Sequence, residues 1–183
     1  MTFKTLSSPL FASLRLRGVK APLGLLAAAL ASAGASSEVP QFLEVGRQAR
    51  IDTVVVSGEP REKRFLLESV GGGLAVIDYD NDGWIDLFIL NGGTIEGYRS
   101  GVSKHPSALY RNNHDGTFSN VTAAAGIRNR HWGKGALAAD FNNDGFQYLF
   151  IANYGPDVLF MNNGNGTFKD CTARAGVGDP RWS

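Results

Sequence analysis

The sequence predicts an all-β fold made of β-propeller blades: two four-stranded antiparallel blades plus one strand of a further blade, and hence an incomplete propeller. Three observations carry this. The chain repeats itself, since Asp140-Phe141-Asn142-Asn143-Asp144-Gly145 echoes Asp78-Tyr79-Asp80-Asn81-Asp82-Gly83, and Leu159-Phe160-Met161-Asn162-Asn163 echoes Leu109-Tyr110-Arg111-Asn112-Asn113. Each copy contains short segments rich in aliphatic and aromatic residues and bounded by glycine and asparagine, which is strand composition. Asp115-Gly116 and Asn165-Gly166 are the dipeptides that a tight hairpin with positive φ demands, so the third and fourth segments of each copy pair antiparallel. Four short antiparallel strands repeated every ~50–60 residues describe a propeller blade.

Residues 1–35 read as a secretory signal peptide. Lys4, Arg15, Arg17 and Lys20 stand in a stretch without acids, Ala21 to Leu30 is apolar, and Ala31-Ser32-Ala33 or Ala33-Gly34-Ala35 offers a cleavage site. The apolar run is shorter than the roughly 20 residues a membrane-spanning helix needs. The expected location is therefore secreted, periplasmic or cell surface, with no transmembrane segment. Cleavage after Ala35 removes four of the 18 basic residues and leaves 17 acidic ones in place. A mildly acidic mature chain excludes nucleic acid as a partner, because phosphate binding needs a concentrated basic face.

Residues 36–70 form an N-terminal segment with a partial repeat. Phe42-Leu43-Glu44-Val45 with Ile51 aligns with Phe118-Ser119-Asn120-Val121 and Ile127, and with Phe168-Lys169-Asp170-Cys171 and Val177. The short basic cluster Arg61, Lys63 and Arg64 is flanked by Glu59 and interrupted by Glu62, which reads as a solvated edge.

The first complete repeat occupies residues 71–128 and the second residues 129–183. Gly71-Gly72-Gly73 and Gly133-Lys134-Gly135 precede the first strands, where backbones approach closely. Leu74 to Ile77 and Trp84 to Leu90 flank the first acidic loop as strands. The third strands are Ala108 to Asn112 and Asp157 to Asn162, and the fourth start at Thr117 and Thr167. Extra loop in the first copy lies around Thr94 to Ser107. The aromatic residues Trp84, Phe88, Tyr110 and Phe118 recur with the blade period, which marks packing between blades; Trp132 and Trp182 fall in the connections and either face a ligand or cover a blade edge.

Asp78-Tyr79-Asp80-Asn81-Asp82-Gly83-Trp84-Ile85-Asp86 has the chemistry of a calcium loop. Calcium takes about 6–8 oxygen ligands, and carboxylates this dense repel one another unless a cation sits between them. Asp78, Asp80 and Asp82 supply the first, third and fifth ligands, Gly83 allows a sharp turn, the Trp84 carbonyl points inward, and Asp86 closes the shell. An EF-hand would need a glutamate at the twelfth position, where this chain has Ile89, and helices on both sides. The competing reading is an acidic turn open to solvent. In the second loop Asp140, Asn142, Asp144 and the Phe146 carbonyl are the corresponding ligands. With Asn142 at the third position and Tyr148 at the ninth, it is expected to bind more weakly or to be structural.

The stretches GGGLAVIDYDNDGWIDLFILNGG, LYRNNHDGTFSNVTAAAGI, WGKGALAADFNNDG and LFMNNGNGTFKDCTARAGV resemble the FG-GAP/VCBS repeat family, the repeats related to integrin alpha-subunit heads. They are especially similar to exported bacterial proteins of the UnbV and cartilage-acidic-protein type. The resemblance covers residues 41–183 and implies, for a whole family protein, about seven blades, calcium between the first two strands of a blade, and extracellular recognition or adhesion. The chain ends at Ser183, where the first strand of a next blade would begin, so it reads as a fragment whose partners include remaining propeller blades.

No catalytic pattern emerges. His105, His114 and His131 stand outside any G-x-S-x-G, H-E-x-x-H or C-x-x-C-H context and read as solvated loop residues. The single cysteine, Cys171, aligns with Val121 and reads as a small buried apolar residue. The expected function is an exported calcium-binding module that binds an extracellular protein or carbohydrate without catalysis. Two alternatives stand beside it: an enzyme or enzyme-accessory propeller with its reactive groups elsewhere, and a carbohydrate-binding propeller.

Overall fold

The computed structural model describes residues 42–59, 61–101 and 105–179. The expected leader over residues 1–35 and Trp182 lie outside the described residues. Those from Leu43 onward belong to one compact unit. It contains two antiparallel sheets, each with its strands in sequence order. The first comprises β1 (Gly73–Ile77), β2 (Asp86–Leu90), β3 (Ala108–Asn112) and β4 (Phe118–Asn120). The second comprises β5 (Trp132–Ala139), β6 (Tyr148–Tyr154), β7 (Val158–Asn162) and β8 (Phe168–Asp170). These are the two expected blades, and the sheets are not closed into a ring.

Register decides which side chains meet. Ala75 stands opposite Phe88, and Phe88 opposite Leu109, so these three share one face of the first sheet with Ile77 and Leu90. That face packs against Leu149, Ile151, Val158, Phe160 and Phe168 of the second sheet, forming one core between the blades. Burial of each large apolar side chain contributes roughly 1.5–3 kcal/mol, so this seam holds the pair together. Trp84 does not join it. Its position in the acidic turn leaves it 48% exposed, a correction to the packing role its period suggested.

The blades meet at glycine. A Cβ on Gly133 would lie 2.4 Å from the Leu90 side chain, and one on Gly71 would lie 2.9 Å from Trp132 Nε1. Trp132 itself is 1% exposed, which places it in the interior and away from any ligand-facing surface. Gly133 lies inside β5 and not ahead of it. The register shifts between Gly133 and Gly135, and the intervening Lys134 donates to the carbonyls of Leu67 and Val70.

The upstream partial repeat survives as a turn and not as a strand. Phe42–Val45 carries no strand, because no described strand lies beside it to complete a ladder. The turn that follows matches its counterparts: Ala49 N donates to Val45 O at 2.8 Å, Ala125 N to Val121 O at 2.8 Å, and Ala175 N to Cys171 O at 2.9 Å. Phe118 N donates to Ala49 O as Phe168 N donates to Ala125 O. The next residues strap the first blade, where the Tyr110 hydroxyl meets Asp52 and Thr53 and the Asn91 side chain bonds Val54 O and Val56 N. A 3-10 turn, Leu66–Ser69, follows.

Two local expectations need correction. The segment Thr94 to Ser107 contains a helix, α1 (Ile95–Ser100), capped by the Thr94 hydroxyl on Gly97 N and ended by Gly101 at φ 68°. The hairpin tips are wider than a two-residue turn: Asn113 N bonds Thr117 O, and the left-handed residues are His114 and Gly116, with Asp115 between them. Asp115 and Asn165 fold back onto the backbone N–H of Thr117 and Thr167.

Candidate metal centre

Alternation along the chain sorts the first acidic loop. Tyr79 is buried, its ring 6.4 Å from that of Phe168, while its neighbours Asp78 and Asp80 turn into the loop. Asn81 takes φ 55° and Gly83 φ 85°, which folds the chain back on itself. Asparagine and glycine tolerate that left-handed region. Asp78 accepts from Asp82 N and Gly83 N, and Asp82 accepts from Trp84 N. The second loop repeats this network bond for bond: Asp140 accepts from Asp144 N and Gly145 N, and Asp144 from Phe146 N. Asn143 and Gly145 take φ 57° and 88°. Backbone hydrogen bonds, that of Gly145 first, hold the Asp140 carboxyl below its ordinary range.

The loops differ in what their side chains gather. Asp78, Asp80 and Asp86 each offer a carboxylate oxygen within 4.8 Å of the others. Asp86 opens β2, is fully buried, and accepts from Tyr79 N at 3.0 Å and Asn112 N at 2.8 Å. Burial pushes its pKa up, with those two N–H bonds working the other way. Asp80 Oδ2 receives Arg111 Nε at 2.7 Å, whereas Asp80 Oδ1 is buried without a hydrogen-bond partner. An orphaned carboxylate oxygen costs free energy unless something positive meets it. A hard cation fits this group.

Asp82 lies outside that group of three. Its Oδ2 meets Arg111 Nη2 at 3.0 Å and His114 Nε2 at 2.9 Å. The Trp84 N–H, and then His114 and Arg111, hold its pKa below the usual carboxylate range. The His114 ring stacks on Trp84 with centroids 4.7 Å apart, so this histidine is engaged with the loop and not simply solvated. Sequence reasoning missed Arg111 and His114, although the internal repeat contained the signal. Aligned positions in the copy with fewer acids are Met161 and Gly164, so the basic residues accompany the fuller acid set.

In the second loop Asn142 Nδ2 donates to Asp144 Oδ2, the ninth position is the buried Tyr148, and the Phe146 ring lies against Gly164. Among the described residues, a three-acid group comes together only in the first loop. The two loops touch: Gln147 Oε1 accepts from Asp78 N at 3.0 Å, Asn81 Nδ2 donates to Gly145 O at 2.9 Å, and Asn162 Nδ2 donates to Tyr79 O at 2.8 Å.

Cys171 is buried against Tyr148 and Leu159. His131 is part-buried, and burial lowers its pKa. The cluster at residues 61–64 is exposed, with Arg64 paired to Glu62 at 2.9 Å. No helix among the described residues is long and apolar enough to cross a membrane.

Compared with known families, the chain matches the FG-GAP-like repeat over residues 78–150 and again over 140–183. No curated protein matches it.

Proposed function

The chain belongs to the FG-GAP-like repeat family, and from that premise we propose that it is an exported, calcium-holding propeller module that works by binding and not by catalysis. The observation that carries the calcium assignment is the buried, unpartnered Asp80 Oδ1 beside the carboxylates of Asp78 and Asp86. Oxygen-only donors of this charge suit a hard divalent cation, and an extracellular setting supplies calcium at the concentration such modest sites need. Asp78, Asp80 and Asp86 would hold the ion, with the Trp84 carbonyl and Asp82 as further oxygen donors of the same loop. The ion supplies charge neutralisation and stiffness. The chain's own residues do the rest: Asp78 ties the turn through the Asp82 and Gly83 amides, and Asp86 ties it to β3. The second loop keeps the same turn through backbone bonds with a smaller donor set. The rigid surface so formed presents its loops to an extracellular protein or carbohydrate.

The test is thermal unfolding with and without calcium. At ~1 mM calcium and a dissociation constant of ~10⁻⁴ M, linkage contributes roughly 1.4 kcal/mol per site. Asp80→Ala is expected to abolish most of the calcium-dependent rise in Tm, and Asn142→Ala to leave most of it intact. Equal effects, or no rise in the unsubstituted protein, would overturn the assignment.

A further inference from the structure

Arg111 brings to the acidic loop of the first blade a cation that the protein supplies itself. It reaches the loop from β3, and its guanidinium spans two carboxylates, with Nε 2.7 Å from Asp80 Oδ2 and Nη2 3.0 Å from Asp82 Oδ2. The acids of the loop divide accordingly. Asp78 and Asp86 are held by backbone amides. Among the described residues, Arg111 is the one hydrogen-bond partner of the Asp80 carboxylate, and it takes Oδ2 while Oδ1 stays buried and bare.

The second copy shows what this arrangement replaces. There the third position is Asn142, whose Nδ2 donates to Asp144 Oδ2 at 2.8 Å, so the loop satisfies that carboxylate from within. The position that aligns with Arg111 is then Met161. In the first copy the third position is Asp80, and an ionised carboxylate can only accept. Asp82 Oδ2, the counterpart of Asp144 Oδ2, takes its hydrogen bond from Arg111 Nη2 instead, with His114 Nε2 beside it. Arg111 thus accompanies the extra acid, and supplies both the donor and the positive charge that this acid lacks.

We propose, on the calcium reading above, that Arg111 is a resident counter-cation that competes with calcium for the first loop and so sets the affinity of that loop. Two effects act in the same direction. A guanidinium one carboxylate away from a divalent ion, on the order of 6 Å, weakens binding about tenfold by Coulomb repulsion even at a water-like dielectric. It also commits Asp80 Oδ2 and Asp82 Oδ2 to its own hydrogen bonds, so an ion draws on fewer oxygens than the loop carries. Orientation of Asp80 by Arg111 acts the other way and is the smaller effect. The Arg111 side chain is 40% exposed, which makes its grip loose, and an ion on Oδ1 orients the same carboxylate by itself. The empty loop is held by Arg111, and the filled loop by the ion.

The experiment is calorimetric titration of the full chain with calcium chloride, together with Tm in chelator and in saturating calcium. Arg111→Met carries the residue of the second copy, and Arg111→Lys keeps the charge without the planar fork. Arg111→Met is expected to bind calcium about tenfold more tightly than the unsubstituted chain, and Arg111→Lys to stay close to it. In Tm, Arg111→Met should fall below the unsubstituted chain in chelator and return close to it in calcium. A purely structural role would lower both values alike. Arg111→Gln takes the place of the methionine variant should that one fail to fold. Unchanged or weaker binding in the neutral variant, while the unsubstituted chain binds calcium, would overturn the proposal and leave the calcium reading standing. Equal tightening in Arg111→Lys would overturn it as well, since charge would then not be what competes. Calcium bound by none of the chains would overturn the calcium reading, and this proposal with it.

Discussion

At the scale of single residues, Arg111 sets the charge balance of the first loop. Its guanidinium spans Asp80 and Asp82, and those carboxylates in turn raise its own pKa, the Asp80 hydrogen bond most of all. Arg111→Met, which installs the residue of the second copy, is expected to cost about 1 kcal/mol in the ion-free protein, read as a lower Tm in the presence of a chelator. An unchanged Tm would show that solvent alone suffices to separate the acids. The donor spacing of this loop was legible in the sequence because the aspartates are local to one another. The departure of Asp82 from the group of three was not, since the residues that hold it arrive from the β3–β4 hairpin about thirty positions later, with no local pattern to announce them. The fully buried state of Trp132 was equally invisible. It depends on Gly71 and Gly92 leaving room for the indole, and a glycine in a sequence does not say what it makes room for.

At the scale of elements, the strands were readable because alternation and turn residues agreed in both copies. The helix α1 was not, since six residues with a glycine among them make a weak periodic signal, and its stability rests on the Thr94 cap. Contact across the seam gives a sharper test. Gly133→Ala places a methyl group 2.4 Å from Leu90, whereas Gly135→Ala meets nothing within 4 Å. Overpacking of this sort costs about 1–3 kcal/mol, so urea unfolding should show Gly133→Ala well below the native midpoint and Gly135→Ala close to it.

The turn after the strap offers a dependence on pH. Glu68 accepts from the amides of Glu59, Arg64 and Phe65, and these bonds, that of Glu59 first, lower its pKa. A carboxyl whose pKa is depressed by folding contributes stability that is present above its unfolded value and lost as pH falls through the folded one. Protection of those three amides, taken as hydrogen exchange relative to the intrinsic rate at each pH, should therefore weaken on acidification below the ordinary carboxylate range. In Glu68→Gln that protection should be weaker already at neutral pH and should change little with acidification.

At the scale of the whole molecule, the repeat is what made the architecture legible, because two copies with the same pattern constrain each other. What the repeat could not convey was the upstream segment. There the chain keeps the turn at Ala49 and gives up the ladder, since a turn is closed by its own backbone and a strand needs a neighbour.

The side-chain bonds from Gln147, Asn81 and Asn162 join the two acidic bends across the seam. A tensile load on the chain therefore cannot peel one blade away alone. It must break those side-chain bonds, the backbone bonds that link Gly133 to Gly72 and Asn91, and the apolar seam together, so an ion in the first bend would act as a rivet for both plates and raise the force at which they part.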